Sequence, residues 1–150
     1  MSDCLESCIS RRRWLIQSAG VMGVAAAAPV IAHCGGGSMN TGPVDAGAVA
    51  SYSVGTFLTV GSLIVARDAM GLYAYSNVCT HQGYTIPIPV MGVSTCPGHA
   101  SQFDANGDLR PGPGPATINL PHYPVMINSG RVMVDTSMTV TDRTTRTPVV

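Results

Sequence analysis

Apolar positions along the chain follow two regimes that change near residue 34. The first is a single run, residues 15–32, 18 residues long and rich in Ala and Gly. Beyond it no stretch repeats apolar residues at the 3.6-residue period of an amphipathic helix. Short strand-like blocks take over instead. Leu63-Ile64-Val65-Ala66-Arg67 reads as a strand, Asp68-Ala69-Met70-Gly71 as a turn, and Leu72-Tyr73-Ala74-Tyr75-Ser76 as the returning strand of a hairpin. Residues 90–95 read as a further strand, and Asp104-Ala105-Asn106-Gly107 as a tight turn. Residues 123–127, the turn Asn128-Ser129-Gly130 and residues 131–135 read as a second hairpin. With 11 Pro and 17 Gly as punctuation, the pattern predicts a small antiparallel all-β domain without internal repeats.

The N-terminal run is just long enough to cross a bilayer, which takes about 18–20 apolar residues. Gln17, Ser18, Gly20, Gly23 and Pro29 make it weakly apolar, so a removed export signal and a retained anchor are the two readings. The preceding Ser10-Arg11-Arg12-Arg13-Trp14-Leu15 resembles the twin-arginine signal, which exports proteins already folded around a cofactor. Ile31-Ala32-His33-Cys34, followed by Gly35-Gly36-Gly37-Ser38, resembles a lipoprotein processing site in which Cys34 would carry the lipid. Cleavage near Ala32 and a free thiol at Cys34 are the alternatives. The expected organisation is a twin-arginine-type signal over 1–34, a Gly-, Ala-, Pro- and Ser-rich flexible linker over 35–50, and a folded domain over 51–150.

Charge narrows the function classes. Charged residues are 11% of the chain, against about 25% in an average soluble protein. All eight basic residues are Arg, three of them at 11–13; after residue 34, five Arg face six Asp. That near-neutral balance excludes a basic nucleic-acid footprint. A hydrophobic content of 45% excludes a disordered chain. The 150 residues have room for one domain and none for an oxygenase with its own substrate domain.

Two segments carry candidate chemistry: Cys79-Thr80-His81-Gln82-Gly83 and Cys96-Pro97-Gly98-His99-Ala100-Ser101. Each holds one Cys and one His, one or two residues apart, in a loop bent by Gly or Pro. Two such loops face to face supply two thiolates and two imidazoles, a complete metal site. By ligand count this suits tetrahedral Zn or a mixed Cys/His [2Fe-2S] cluster. Zinc modules generally keep Cys with Cys and His with His in their spacings, so the mixed pairs favour the cluster. His33 and His122 read as ordinary histidines, and Met70, Met91, Met126 and Met133 as packing residues.

The two segments resemble the cluster-binding boxes of Rieske iron–sulfur proteins. Ser101-Gln102-Phe103-Asp104 continues the second box in that family's manner. Arg110-Pro111-Gly112-Pro113-Gly114-Pro115-Ala116 and Asn119-Leu120-Pro121 resemble the proline-rich loop that covers the cluster. The resemblance spans about residues 50–137. It implies a Rieske-type β-sandwich or barrel with cluster loops at one tip, and one [2Fe-2S] cluster. Cys79 and Cys96 would bind one iron, and His81 and His99, the exposed pair, the other. It further implies that Ser101 donates a hydrogen bond to a bridging sulfide.

The family's inter-box disulfide would join positions 84 and 98, here Tyr84 and Gly98. Tyr84 is thereby free to pack over the cluster. High-potential members carry a Tyr donor where this chain has Phe103. Losing that donor and the disulfide predicts a potential in the middle or lower part of the roughly −150 to +300 mV Rieske window. Reduction would raise the pKa of the ligand imidazoles.

The resemblance implies an exported electron-transfer protein, periplasmic or membrane-anchored through Cys34 or the N-terminal segment. Its partners would be redox proteins: a c-type cytochrome, a quinol-oxidising complex or a large oxidase subunit. The small Rieske subunit of an exported oxidoreductase, similar to the arsenite oxidase arrangement or a quinol–cytochrome c reductase, is the alternative. A zinc-stabilised β binding module is the reading from another class. Little His remains for a 2-His-1-carboxylate iron triad, so no independent catalytic site is expected.

Overall fold

The computed structural model describes residues 43–150. The signal, Cys34 and the first part of the expected linker lie outside them.

Among the described residues nine strands form three antiparallel groups. β1 (Pro43–Ala48), β9 (Arg131–Asp135) and β8 (Val125–Asn128) form one sheet in the order β1-β9-β8. β2 (Phe57–Val60), β3 (Leu63–Asp68), β4 (Gly71–Ser76) and β7 (His122–Tyr123) form a second. β5 (Val93–Thr95) and β6 (Gln102–Asp104) form a separate ribbon. The all-β expectation holds among the described residues.

β3 and β4 sit at the centre because both of their faces are covered. Leu63 and Val65 of β3 and Leu72 and Ala74 of β4 point to one side, where they pack with Ala46, Tyr52, Val132 and Val134 of the other sheet region. Ile64 and Ala66, with Tyr73 and Tyr75, point to the opposite side, toward Cys79, Cys96, Phe103 and Leu120. A strand buried on both faces reads as a continuous apolar run rather than an alternating one. Each fully covered Leu, Ile or Val here contributes about 1.5–3 kcal/mol of transfer free energy. The hairpin is thus the wall between a sandwich core and the core that supports the Cys/His loops.

Three expectations are corrected. The linker does not extend to residue 50: residues 43–48 are β1, paired with β9 from Pro43↔Asp135 to Asp45↔Met133, and a short 3-10 turn follows at Val49–Ser51. Its small residues disguise an edge strand whose Ala46 is buried and whose Asp45 pairs with Arg131 at 2.6 Å. The strand expected over 123–127 is broken at Pro124. Proline has no N–H for a ladder, and here the chain leaves β7 of one sheet and enters β8 of the other. Residues 91–92 are a turn rather than strand, and Val90 forms only a bridge to Val93: their amides exchange bonds with each other's carbonyls at 2.9 and 3.1 Å, with Met91 and Gly92 at φ 51° and 79°.

The methionines also depart from the packing reading. Met91 is 99% exposed and Met70 68%, both at turn tips, and Met126 is 48% exposed on β8. Only Met133 is partly buried.

The C-terminal segment straps along β4 and β7 of the second sheet through backbone bridges. Leu72 and Thr147 exchange backbone bonds at 2.8 and 2.9 Å, and the Val140 amide donates to His122. Arg143 pairs with Asp108 and donates to the Leu120 carbonyl. Arg146 donates to Asp68 at 2.6 Å and to Asn106 Oδ1 at 2.8 Å, and its guanidinium lies 3.9 Å from the Tyr73 ring centroid. His122 is a core residue, as its plain reading expects. Its ring stacks on Tyr75 and its Nε2 lies 2.6 Å from the Asn106 carbonyl oxygen.

Candidate metal centre

The two Cys/His loops share one backbone pattern. In the first, the Cys79 amide donates to the Tyr84 carbonyl at 2.8 Å, and the Gly83 amide returns to the Cys79 carbonyl at 2.9 Å. In the second, Cys96 donates to Ser101 at 2.8 Å and Ala100 returns to Cys96 at 3.0 Å. Each loop closes five residues after its Cys, and the fifth position of each, Gly83 or Ala100, is left-handed at φ 74° or 60°. Glycine adopts that conformation freely, whereas alanine pays about 1–2 kcal/mol for it. The first loop is anchored to the sheet through Ile86, whose amide donates to the Asn77 carbonyl at 2.7 Å. The second springs from the β5–β6 ribbon, paired Val93↔Asp104 to Thr95↔Gln102.

The four predicted donors sort by depth. Cys79 and Cys96 are 3% and 2% exposed, are not joined in a disulfide, and face each other in the same apolar cluster as Phe103. Burial pushes the Cys79 thiol above its ordinary value. The His81 and Gln82 amides, aimed at its sulfur, oppose that, and the neighbouring Cys96 sulfur adds to it. His81 is half-buried and His99 exposed, and their rings meet edge-to-face with centroids 4.8 Å apart. The histidines, expected to be the exposed pair, are exposed at His99 and half-buried at His81, outward of the buried thiols.

The donor set tests which group it fits. Among the described residues no three His, Cys, Asp or Glu side chains gather in a way that could hold one metal ion. The four donors form two pairs, thiol with thiol and imidazole with imidazole. A single tetrahedral ion needs all four around one point, whereas a two-iron cluster takes one pair at each end. Two buried thiols with amide donors aimed at one of them suit a cation that holds them as thiolates. The residues present fit a [2Fe-2S] cluster.

The proline-rich segment closes over the second loop. The Arg110 amide donates to the Gln102 carbonyl at 2.9 Å, and the Ala116 amide to Ser101 Oγ at 3.0 Å. Thr80 Oγ1 donates to the Ile118 carbonyl at 2.9 Å, tying the cap to the first loop as well. Ser101 is buried, and since its oxygen accepts from Ala116 its O–H remains free to donate elsewhere. Gly114 lies so close to Ser101 that a Cβ there would land on the Ser101 Cα, N and Oγ. Phe103, wholly buried, has no hydroxyl to offer.

Two features of the site escaped the sequence. One is the Thr80–Ile118 tie, which joins residues far apart in the chain and has no spacing signature. The other is the contact of the half-exposed Tyr84 ring with Gly98 and, edge-on at 6.0 Å, with His99. The absence of the disulfide cysteines pointed to those positions without showing how they meet.

Comparison with known proteins agrees with this geometry. A family model described as the Rieske [2Fe-2S] domain matches residues 42–124. The cytochrome b6-f complex iron-sulfur subunit of Synechococcus elongatus is 38% identical over 71 residues, covering 47% of this chain and 37% of that one. The chloroplastic subunit of Pisum sativum is 33% identical over 73 residues, 47% of this chain and 32% of its own. This chain thus matches about a third of the length of those relatives. Among solved structures, the quaternary ammonium Rieske monooxygenase CntA superposes with a TM-score of 0.53 at 19% identity, over 63% of this chain and 32% of that one, a likeness of fold.

Proposed function

The chain belongs to the Rieske [2Fe-2S] domain family, and on that footing we propose that Cys79, Cys96, His81 and His99 hold its cluster and that it passes single electrons between redox proteins outside the cytoplasmic membrane. The observation that carries this is the sorting of the four donors into a buried thiol pair and an outward imidazole pair.

When bound, the cluster takes up and releases one electron at a time. The chain's own residues set where and how readily this happens. Cys79 and Cys96 would hold one iron, in an apolar core that keeps water from the sulfurs. His81, half-buried, and His99, exposed, would hold the other iron, so a partner would approach through the imidazole end. The amides of His81 and Gln82 and the free O–H of Ser101 stabilise negative charge on sulfur, which favours the reduced state. The cap fixes the Ser101 hydroxyl and is itself held by Thr80.

The export reading rests on Ser10-Arg11-Arg12-Arg13-Trp14-Leu15 and the apolar run after it, with Cys34 as a candidate lipid site. Among the described residues no helix is long and apolar enough to cross a membrane. The partner is a c-type cytochrome, a quinol-oxidising complex or the large subunit of an exported oxidase. With few charges on the domain, docking relies on contact at the histidine end more than on long-range steering.

A spectroelectrochemical titration tests the electron-transfer reading. It should give one reversible one-electron wave in the middle or lower part of about −150 to +300 mV. No wave would contradict the electron-transfer reading, and a wave near the top of that window would contradict the potential expected from Phe103 and the missing disulfide. Export is tested by fractionating cells that make the full chain or its Arg11→Lys/Arg12→Lys variant. The native chain should leave the cytoplasm and the variant should stay; equal distribution would remove the export proposal.

A further inference from the structure

Gly98 is glycine without a conformational reason. Its φ is not positive, so its backbone would accept any L residue. What forbids a side chain is Tyr84. An ideal Cβ on Gly98 would lie 2.5, 2.7 and 3.0 Å from Cδ2, Cε2 and Cγ of that ring. Non-bonded carbons settle at about 3.5–4.0 Å, so the ring occupies the volume a side chain at 98 would take. Tyr84 is 47% exposed. The same ring meets the His99 imidazole edge-on, centroids 6.0 Å apart and planes at 80°, and His99 in turn meets His81 edge-on at 4.8 Å. Three rings thus meet in succession across the two loops, from Tyr84 in the first through His99 in the second to His81 in the first.

We propose that the Tyr84 ring seated on Gly98 is a non-covalent clasp between the two loops, which positions the exposed His99 ligand and makes cluster retention independent of thiol–disulfide conditions. The inference rests on the cluster reading above and deepens it: Tyr84 is a positioning residue for His99. The loops also meet at His81–His99 and at Cys79–Cys96, but those four are the ligands themselves; among the contacts described, Tyr84 is the residue outside the ligand set that ties one loop to the other, since Thr80 reaches the cap. The hydroxyl has no part in the argument; ring volume and edge geometry carry it, so Phe should replace Tyr and Ala should not.

The test is a steric cycle on the full chain with its cluster, reading the rate at which EDTA bleaches the visible absorbance. Tyr84→Ala should speed bleaching at least tenfold, and Tyr84→Phe should stay within twofold of the native rate. Gly98→Ala should also speed it at least tenfold, because its methyl displaces the ring. In the Tyr84→Ala background the same methyl should add less than twofold. The midpoint potential and the EPR line shape should move in Tyr84→Ala and remain native in Tyr84→Phe, which a generally loosened fold would not arrange. Native-rate bleaching in Tyr84→Ala, or additive effects of the two alanines, would overturn the clasp.

A second variant stands apart from those. An ideal Cβ on Gly98 lies 3.0 Å from Tyr84 Cγ, one bond from the Tyr84 Cβ, so the two Cβ positions are at most about 4.5 Å apart, the upper end of the range a disulfide spans. Tyr84→Cys/Gly98→Cys should therefore oxidise to an intramolecular disulfide. Its bleaching should be native-like when oxidised and fast in dithiothreitol, while the native chain ignores the reductant. Failure of the pair to close, or a native chain sensitive to dithiothreitol, would overturn the proposal. Disulfide yield is read on the chain whatever metal it holds. Native protein isolated with zinc would thus defeat the electron-transfer reading and leave the clasp standing, whereas an iron-loaded chain with an open pair would do the reverse.

Discussion

Replacing Gly114 by Ala probes how the proline-rich cap governs the site. The new methyl would fall on the Ser101 Cα, N and Oγ, which are backbone and near-backbone atoms that cannot swing aside. The cap must therefore lift. Overpacking of this kind costs about 1–3 kcal/mol. Lifting also breaks the 3.0 Å bond from the Ala116 amide to Ser101 Oγ, and leaving such a buried donor unpaired costs about 1–3 kcal/mol. The two overlap, since one movement relieves the first by incurring the second, so we expect about 2–4 kcal/mol in all. For a domain of this size each kcal/mol lowers Tm by about 4–8 °C, which gives a fall of at least about 8 °C by calorimetry. The Ser101 O–H loses its fixed direction at the same time. A hydrogen bond of about 0.5–1.5 kcal/mol that favours the reduced state corresponds to about 20–65 mV, at 59 mV per tenfold for one electron. Ser101→Ala removes the same donor without the steric push, so it should lower the potential similarly with a smaller change in Tm. A Gly114→Ala protein with native Tm and native potential would refute the role assigned to the cap.

Three other changes read separate parts of the account. Phe103→Tyr, in the same apolar cluster as both thiols, should raise the midpoint potential by about 20–65 mV through one added donor; a fall would contradict the reading of that position. Ala100→Gly should relieve the left-handed residue at φ 60°. After the entropy cost of glycine, a net gain of about 0.5–1 kcal/mol in urea denaturation is expected, and a loss would mean that the methyl packs usefully. For His122, burial lowers the pKa, with the Asn106 carbonyl opposing and Arg143 and Arg146 adding to the fall. A histidine held neutral in the fold but free to protonate when unfolded stabilises fully above about pH 6.5, and that share is lost as pH drops below about 6.5 toward the depressed folded value. The native urea midpoint should therefore fall between pH 7 and 5 more steeply than that of His122→Gln, while parallel curves would contradict it.

The chemistry-bearing part of the molecule was legible because it is local. Cys79-Thr80-His81 and Cys96-Pro97-Gly98-His99 place their donors within four residues, and a bent loop does the rest. The β3–β4 hairpin was legible too, as an apolar run on each side of Asp68-Ala69-Met70-Gly71. What stayed hidden depends on tertiary placement. β2 is an edge strand with its middle residues exposed and so lacks a strong pattern. β1 hides in Pro-Val-Asp-Ala-Gly-Ala, whose small residues look like linker until β9 pairs with them. Pro124 divides one strand-like run between two sheets, a choice made by packing rather than propensity. The strap's Arg143 and Arg146 reach Asp108 and Asp68, 35 and 78 residues away, so no local pattern announces them. Tyr84 and Gly98 are of the same kind.

The central claim is mixed Cys/His ligation by Cys79, Cys96, His81 and His99. The most direct measurement is the EPR spectrum of the dithionite-reduced protein, taken with an iron and zinc analysis of the same sample. The account predicts two iron per chain and a rhombic signal with the low average g value that nitrogen ligation of one iron produces. An EPR-silent sample containing zinc in place of iron would contradict it and leave a metal-stapled β module.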